Sequence, residues 1–265
     1  MYKNIFKMKR LQLITFLFLI FSCGNVRMAF SQASVFSYEK YTNGKGDTLN
    51  YRRLYPDSDT LRKYPLIIFL HGSGERGSDN ESQLKWGVMN FATDQNMIKY
   101  PAFVIVPQCP KKMEWANFSN IKNSREQFLQ PTESKPMELL IGLIRQAIKK
   151  LPVDTNRIYI TGLSMGGDGT YDAIERYPDL FAAAVPVCGS GDVSKAALIA
   201  HIPIWVFCGA EDAAVSPLYS LDMIEALTKA GAHPGFTQYP EVGHSSWLGT
   251  YSDPLMMEWL FRQHK

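Results

Sequence analysis

Three residues in the second half of the chain carry the side chains of a nucleophilic relay: Ser164, Asp212 and His244, each just past a strand-like apolar run. A serine hydroxyl is a weak nucleophile. It needs a base to take its proton and an acid to orient that base. Ser164 lies in Gly162-Leu163-Ser164-Met165-Gly166, after the strand-like RIYIT and before a helical segment. A strand–turn–helix setting of this kind holds a serine on a strained turn with its Oγ above a sheet. The helix N-terminus then favours negative charge that develops beside it. Taken alone, G-x-S-x-G is a common pattern and reads equally well as a flexible glycine turn. A nucleotide-binding reading fails, because the glycines do not fall as G-x-G-x-x-G and no P-loop lysine follows.

Asp212, in FCGAEDAAV, follows a strand candidate, with Glu211 the nearest rival and Asp192 another. His244, in YPEVGHSSW, follows the last strand candidate; a lone loop histidine is more often simply solvated. The order Ser…Asp…His, with each member past its expected strand, is the order in which one hydrolase sheet presents this relay. A fourth element is LHGSGERG, residues 70–77, whose glycines let backbone N–H groups face a pocket. An oxyanion hole would pair the N–H of Met165 with that of Ser73, or of Gly74 if the loop turns differently. Trp115, Phe118, Gln108 and Trp247 are candidate walls for the substrate, or else ordinary packing. The chemistry so assembled is acyl transfer through a serine ester, which calls for no cofactor.

These residues need elements to carry them. Apolar runs at PLIIFLH, AFVIV, RIYITG, FAAAVPV, IPIWVFCG and GFTQYPEV lack alternation, as strands covered on both faces do. SVFSYEKYT and TLNYRRLY flank NGKGD as an antiparallel hairpin. Helices fall between: Met137, Leu140, Ile141, Ile144, Ile148 and Leu151 form one stripe, and residues 166–177 stop before Pro178. Ser216-Pro217 and Asp253-Pro254 each open a helix with a cap and a proline. The reading is α/β: a mostly parallel twisted sheet of about eight strands with helices on both faces. Residues 107–135 read as one long irregular loop, and the segment between FAAAVPV and IPIWVFCG is too short for a large lid domain.

The first residues follow different rules. MYKNIFKMKR is basic, LQLITFLFLIF is apolar but short, and Ala29 and Ser31 suit a cleavage site before Gln32. Residues 1–31 are therefore expected to be a signal peptide and 32–265 a single catalytic domain. A rival route lipidates Cys23 in IFSCGN, which would place the protein at a membrane. Either route exports it, to the periplasm or beyond. The formal charge of +3 includes Lys3, Lys7, Lys9, Arg10 and Arg27, and removing those five positive charges leaves −2. A nucleic-acid partner thereby loses its support. Cys109, Cys188 and Cys208 remain after cleavage, so at most one bridge can form. No zinc spacing and no H-E-x-x-H occur, and a metal is not expected.

Taken together, LHGSGERGSDN, PAFVIVPQCP, RIYITGLSMGGDGTYD, FAAAVPVCGSGD, PIWVFCGAEDAAVSP and GHSSW resemble a secreted esterase group. That group is described as predicted peptidase or phospholipase/carboxylesterase, and is related to feruloyl-esterase-like and polyhydroxybutyrate-depolymerase-like α/β-hydrolases. The resemblance runs from about residue 34 to the C-terminus. It implies an α/β-hydrolase fold, with Ser164 as nucleophile, Asp212 as orienting acid and His244 as base. Asp168 departs from the aromatic or small apolar residue expected after Gly167. The implied function is a secreted serine esterase acting on carboxylic esters, with polysaccharide-linked esters among its substrates. A serine peptidase of the same fold, or a non-catalytic binding protein built on it, are the alternatives.

Overall fold

The structure, a computed structural model, describes residues 35–56, 59, 61–120 and 125–265. The expected signal peptide, its cleavage site and Cys23 lie outside those residues. Residues Ser37–Lys265 form one compact unit.

The N-terminal hairpin forms as its turn chemistry requires. Strands β1 (Phe36–Thr42) and β2 (Thr48–Leu54) flank a turn with Gly46 at φ 86°. There Asn43 Oδ1 accepts from the N–H groups of Lys45 and Asp47, both at 2.9 Å. Next come the apolar strands β3 (Tyr64–Leu70) and β4 (Phe103–Pro107), buried along their whole length. β5 (Phe118–Asn120) and β6 (Gln127–Leu129) pair only with each other. The remaining strands are β7 (Val153–Leu163), β8 (Ala183–Val187), β9 (Trp205–Gly209) and β10 (Gly235–Tyr239). The large sheet has eight strands in the order β1-β2-β4-β3-β7-β8-β9-β10. From β4 through β10 every pairing is parallel, while β2 runs antiparallel to β4.

Seven α-helices connect and cover these strands among the described residues: α1 (Asp94–Lys99), α2 (Lys135–Lys150), α3 (Met165–Arg176), α4 (Ala196–Ile199), α5 (Pro217–Lys229), α6 (Trp247–Ser252) and α7 (Pro254–Arg262). α2 opens where Ser134 Oγ accepts from Met137 N at 3.1 Å, and it buries Met137, Leu140, Ile141 and Ile144 as its stripe predicts. Ser216 and Asp253 cap α5 and α7, each followed by its proline. Alternate residues of β3 serve two layers. Leu66, Ile68 and Leu70 join the core that contains Leu140, Ile144 and Ile174. Phe69 points to the other side, with its ring centroid 4.9 Å from Tyr251 and 6.2 Å from Phe91.

Two differences from the sequence reading have simple causes. The stretch 107–135 is not uniformly irregular, since β5 and β6 lie within it; strands of three residues are too short to show a period. α1, α4 and α6 span six residues or fewer, below the length at which helical periodicity becomes visible. No helix among the described residues is long and apolar enough to cross a membrane. Because the central strands are parallel, the loops after β3, β7, β9 and β10 all emerge at one edge of the sheet.

Candidate active site

The turn after β7 is a close fit of backbone to backbone. A Cβ on Gly162 would lie 2.3 Å from Gly166 O, and one on Gly166 would lie 2.0 Å from Leu70 O. Only glycine permits that approach. Ser164 itself adopts φ 55° and ψ −121°, a conformation that costs a non-glycine residue on the order of 1–3 kcal/mol. The surroundings hold it there: Ser164 N donates to Val187 O at 2.9 Å, and Ser164 O accepts from Gly167 N at 2.7 Å and Asp168 N at 3.0 Å. The strain has a geometric result, which is an Oγ lifted clear of the sheet at the start of α3.

That Oγ lies 2.8 Å from His244 Nε2, and His244 Nδ1 lies 2.7 Å from Asp212 Oδ2. Asp212 is buried, with Oδ1 accepting from Ala214 N and Val215 N, both at 2.9 Å. The loop after β9 therefore fixes the carboxylate before it meets the imidazole. The loop after β10 supplies His244, whose ring stands edge-on to Trp247 with centroids 5.2 Å apart. Glu211 is exposed and makes no such contact. Asp192 is buried elsewhere, accepting from Leu129 N and Ser194 N, both at 2.9 Å, and so bracing β6.

His71 organises the loop after β3. Cys109 N donates to His71 Nε2 at 2.9 Å, so the ring proton sits on Nδ1 and is donated to Gly72 O at 2.7 Å. Burial pushes this imidazole down to about 4, and it is neutral at ordinary pH. The loop then enters a 3-10 turn at Ser73–Glu75. The N–H groups of Met165 and Ser73 donate to no described residue. A Cβ on Gly72 would lie 2.9 Å from the Leu163 side chain, which shows how closely this loop approaches the serine turn.

Two expected substrate walls are corrected. Trp115 is fully buried and its Nε1 donates to His71 O at 3.1 Å, so it supports the loop from beneath. Gln108 is also buried; its Nε2 donates to Glu75 O at 3.1 Å and Asp79 Oδ1 at 2.8 Å, and its Oε1 accepts from Asn80 N at 2.8 Å. Both are consumed by internal bonds and have no face left for a ligand. Trp247 does stand beside His244, and Trp86 joins it with centroids 6.3 Å apart. Nothing periodic in the surrounding sequence marks Trp86. Phe118 lines a cavity of about 220 Å³ with Met165, Asp168 and Ser190.

Cys109, Cys188 and Cys208 are all buried and unbridged. Cys188 Sγ lies 3.6 Å from His244 O, and its ligand atom falls within 4.8 Å of those of Asp212 and His244. Burial pushes this thiol up to about 12, so it is a protonated donor. Asp212 and His244 are already committed to one another. The chemistry of the three groups therefore fits a hydrogen-bonded relay better than a metal cage. A separate depression of about 440 Å³ among Arg62, Lys99, Arg157 and Arg262 lies at the opposite edge of the sheet, away from Ser164.

Comparison with known proteins places the fold. The chain is 28% identical over 202 residues to lysophospholipase-like protein 1 of Mus musculus, covering 71% of this chain and 82% of that protein. It is 24% identical over 160 residues to a bifunctional acetylxylan esterase/xylanase of Neocallimastix patriciarum, covering 60% of this chain but only 21% of that protein. Among solved structures, a thermostable esterase superposes with a TM-score of 0.81 at 38% identity, covering 88% of this chain and 64% of that one. A ferulic acid esterase shares the fold at 18% identity, with a TM-score of 0.65 over 86% of this chain and 98% of its own. The family model for phospholipase/carboxylesterase matches residues 57–253, and with its α/β-hydrolase sheet the chain belongs to that family.

Proposed function

We propose that the protein is a serine carboxylic-ester hydrolase that works through an acyl-enzyme on Ser164. One observation carries the reading: the continuous hydrogen-bond chain from Ser164 Oγ through His244 to Asp212, at 2.8 and 2.7 Å. His244 takes the Ser164 proton as Oγ attacks the ester carbonyl, and Asp212 stabilises the resulting imidazolium. The N–H groups of Met165 and Ser73 receive the developing oxyanion. His244 then protonates the leaving alcohol, and a water molecule, activated by the same imidazole, releases the acid.

The substrate reading is an ester carried on a bulky, polysaccharide-like alcohol. It is supported by an opening at the start of α3, lined by Met165 and Asp168. The cavity of about 220 Å³ shares Gln127 with a wider groove of about 730 Å³ that runs past Asp192 and Tyr219. Export, with a mature chain beginning at Gln32, suits such a substrate and rests on the basic and apolar leader. Sequencing the mature N-terminus checks it; a lipidated Cys23 there would replace free secretion with membrane anchoring. The catalytic reading is tested with Ser164→Ala on short-acyl 4-nitrophenyl esters. A fall in kcat/KM of about ten-thousandfold or more is expected, together with loss of fluorophosphonate labelling. Retention of wild-type turnover by this variant would refute the mechanism.

A further inference from the structure

The geometry points to Asp168 as a specificity-determining residue, whose carboxyl group binds a hydroxyl of a sugar ester in the cavity beside Ser164. The inference rests on the esterase reading above and extends it to the part of the substrate that does not react. Asp168 sits one turn into α3, with its backbone N–H donating to Ser164 O at 3.0 Å, so its position is tied to that of the nucleophile. Its Oδ1 is held by Ser190, accepting from N at 2.7 Å and from Oγ at 2.9 Å. Its Oδ2 accepts from no described residue. That oxygen belongs to a side chain lining the cavity of about 220 Å³, together with Glu114, Phe118, Gln127, Met165 and Ser190.

Asp168 is only partly buried, and its free Oδ2 is reached from the cavity, where a water molecule or a ligand hydroxyl completes it. Burial pushes Asp168 up to about 7, so near neutral pH it can either accept or donate a hydrogen bond. A hydroxyl matches both states, whereas an ammonium group matches only the ionised one. Glu114 lines the same cavity and pairs with Arg76 at 2.6 Å, and its charge adds to the upward push on Asp168. Phe118 offers an apolar face and Gln127 a further polar group, the combination that a sugar ring presents in return. The cavity shares Gln127 with the wider groove, so an extended alcohol could reach from one to the other, which suits the alcohol side of the ester better than a short acyl chain.

The test compares wild type, Asp168→Asn and Asp168→Leu on acetylated xylobiose, 4-nitrophenyl 3-hydroxybutyrate and 4-nitrophenyl butyrate. The expected result is a fall of about 10- to 100-fold in the ratio of kcat/KM for acetylated xylobiose to that for 4-nitrophenyl butyrate in Asp168→Leu. Asp168→Asn, whose oxygen stays with Ser190 while its amide still donates to a substrate hydroxyl, should recover much of the ratio. General damage to α3 affects both esters and cancels in the ratio. A ratio that moves less than threefold overturns the assignment, as does a drop confined to the hydroxybutyrate ester. If wild type cleaves nitrophenyl esters but not acetylated xylobiose, the sugar assignment fails while the esterase reading stands. If it cleaves none of the three and Ser164 takes up no fluorophosphonate, the esterase reading itself fails.

Discussion

At the scale of single residues, the site depends on groups whose freedom has been removed before any substrate arrives. Asp212 meets His244 through Oδ2 while two backbone N–H groups hold Oδ1. Asp212→Asn keeps an oxygen for those N–H groups but turns an amide toward Nδ1, favouring the wrong imidazole tautomer. The variant should fold normally and lose about ten-thousandfold in kcat, measured on 4-nitrophenyl butyrate. His71 is locked in the neutral state by Cys109 N, with burial pushing it down to about 4. Its ordinary value is near 6.5, so the unfolded chain takes up a proton there first. The stability contributed by neutral His71 is complete above pH 6.5 and is lost as pH falls from there toward 4. The gap corresponds to about 3 kcal/mol when fully expressed. Urea unfolding of wild type and His71→Gln across that range should show a shallower pH dependence in the variant. An identical slope would remove His71 as the cause.

At the scale of elements, the turn joining β7 to α3 is where sequence and packing agree most closely. Its glycines were legible because strand, turn and helix follow one another within a dozen residues, although the contact that demands Gly166 is with Leu70 on a distant strand. Gly166→Ala would drive a Cβ to 2.0 Å from Leu70 O, a backbone atom that cannot rotate away. The expected cost is about 2 kcal/mol or more, read as a lower urea midpoint, with a loss of activity beyond that explained by unfolding. The segment between β4 and α2 was legible only in part. Trp115 and Gln108 look like pocket residues because large amphipathic side chains on a loop near a site usually are. Their partners, His71 O and the 75–80 loop, lie 28 to 44 residues away in sequence, and no local pattern announces them.

At the scale of the whole molecule, parallel strand order divides the sheet into two edges with different duties. The carboxyl edge gathers Ser164, Asp212, His244 and the His71 loop, whereas the other edge carries a basic depression around Arg62, Lys99, Arg157 and Arg262. Arg157 pairs there with Asp154 at 2.6 Å in a partly exposed bridge. Arg157→Ala should change stability by less than about 1 kcal/mol and leave kcat/KM on 4-nitrophenyl butyrate within twofold. A larger loss of activity would mean that the two edges are coupled.

Order along the chain was enough to nominate Ser164, Asp212 and His244, because a parallel α/β sheet sends successive strand ends to one edge, and sequence order then becomes spatial proximity. The strand count of the large sheet and the caps of α5 and α7 followed from periodicity and short-range hydrogen bonding. Tertiary structure alone decided between Asp212 and Asp192, since both are buried acids after strands and only distance to an imidazole separates them. It also placed Trp115 and Gln108 inside, set Trp86 beside Trp247, and left one oxygen of Asp168 open to a cavity. Those outcomes depend on contacts between residues far apart in the chain, which no window of sequence contains.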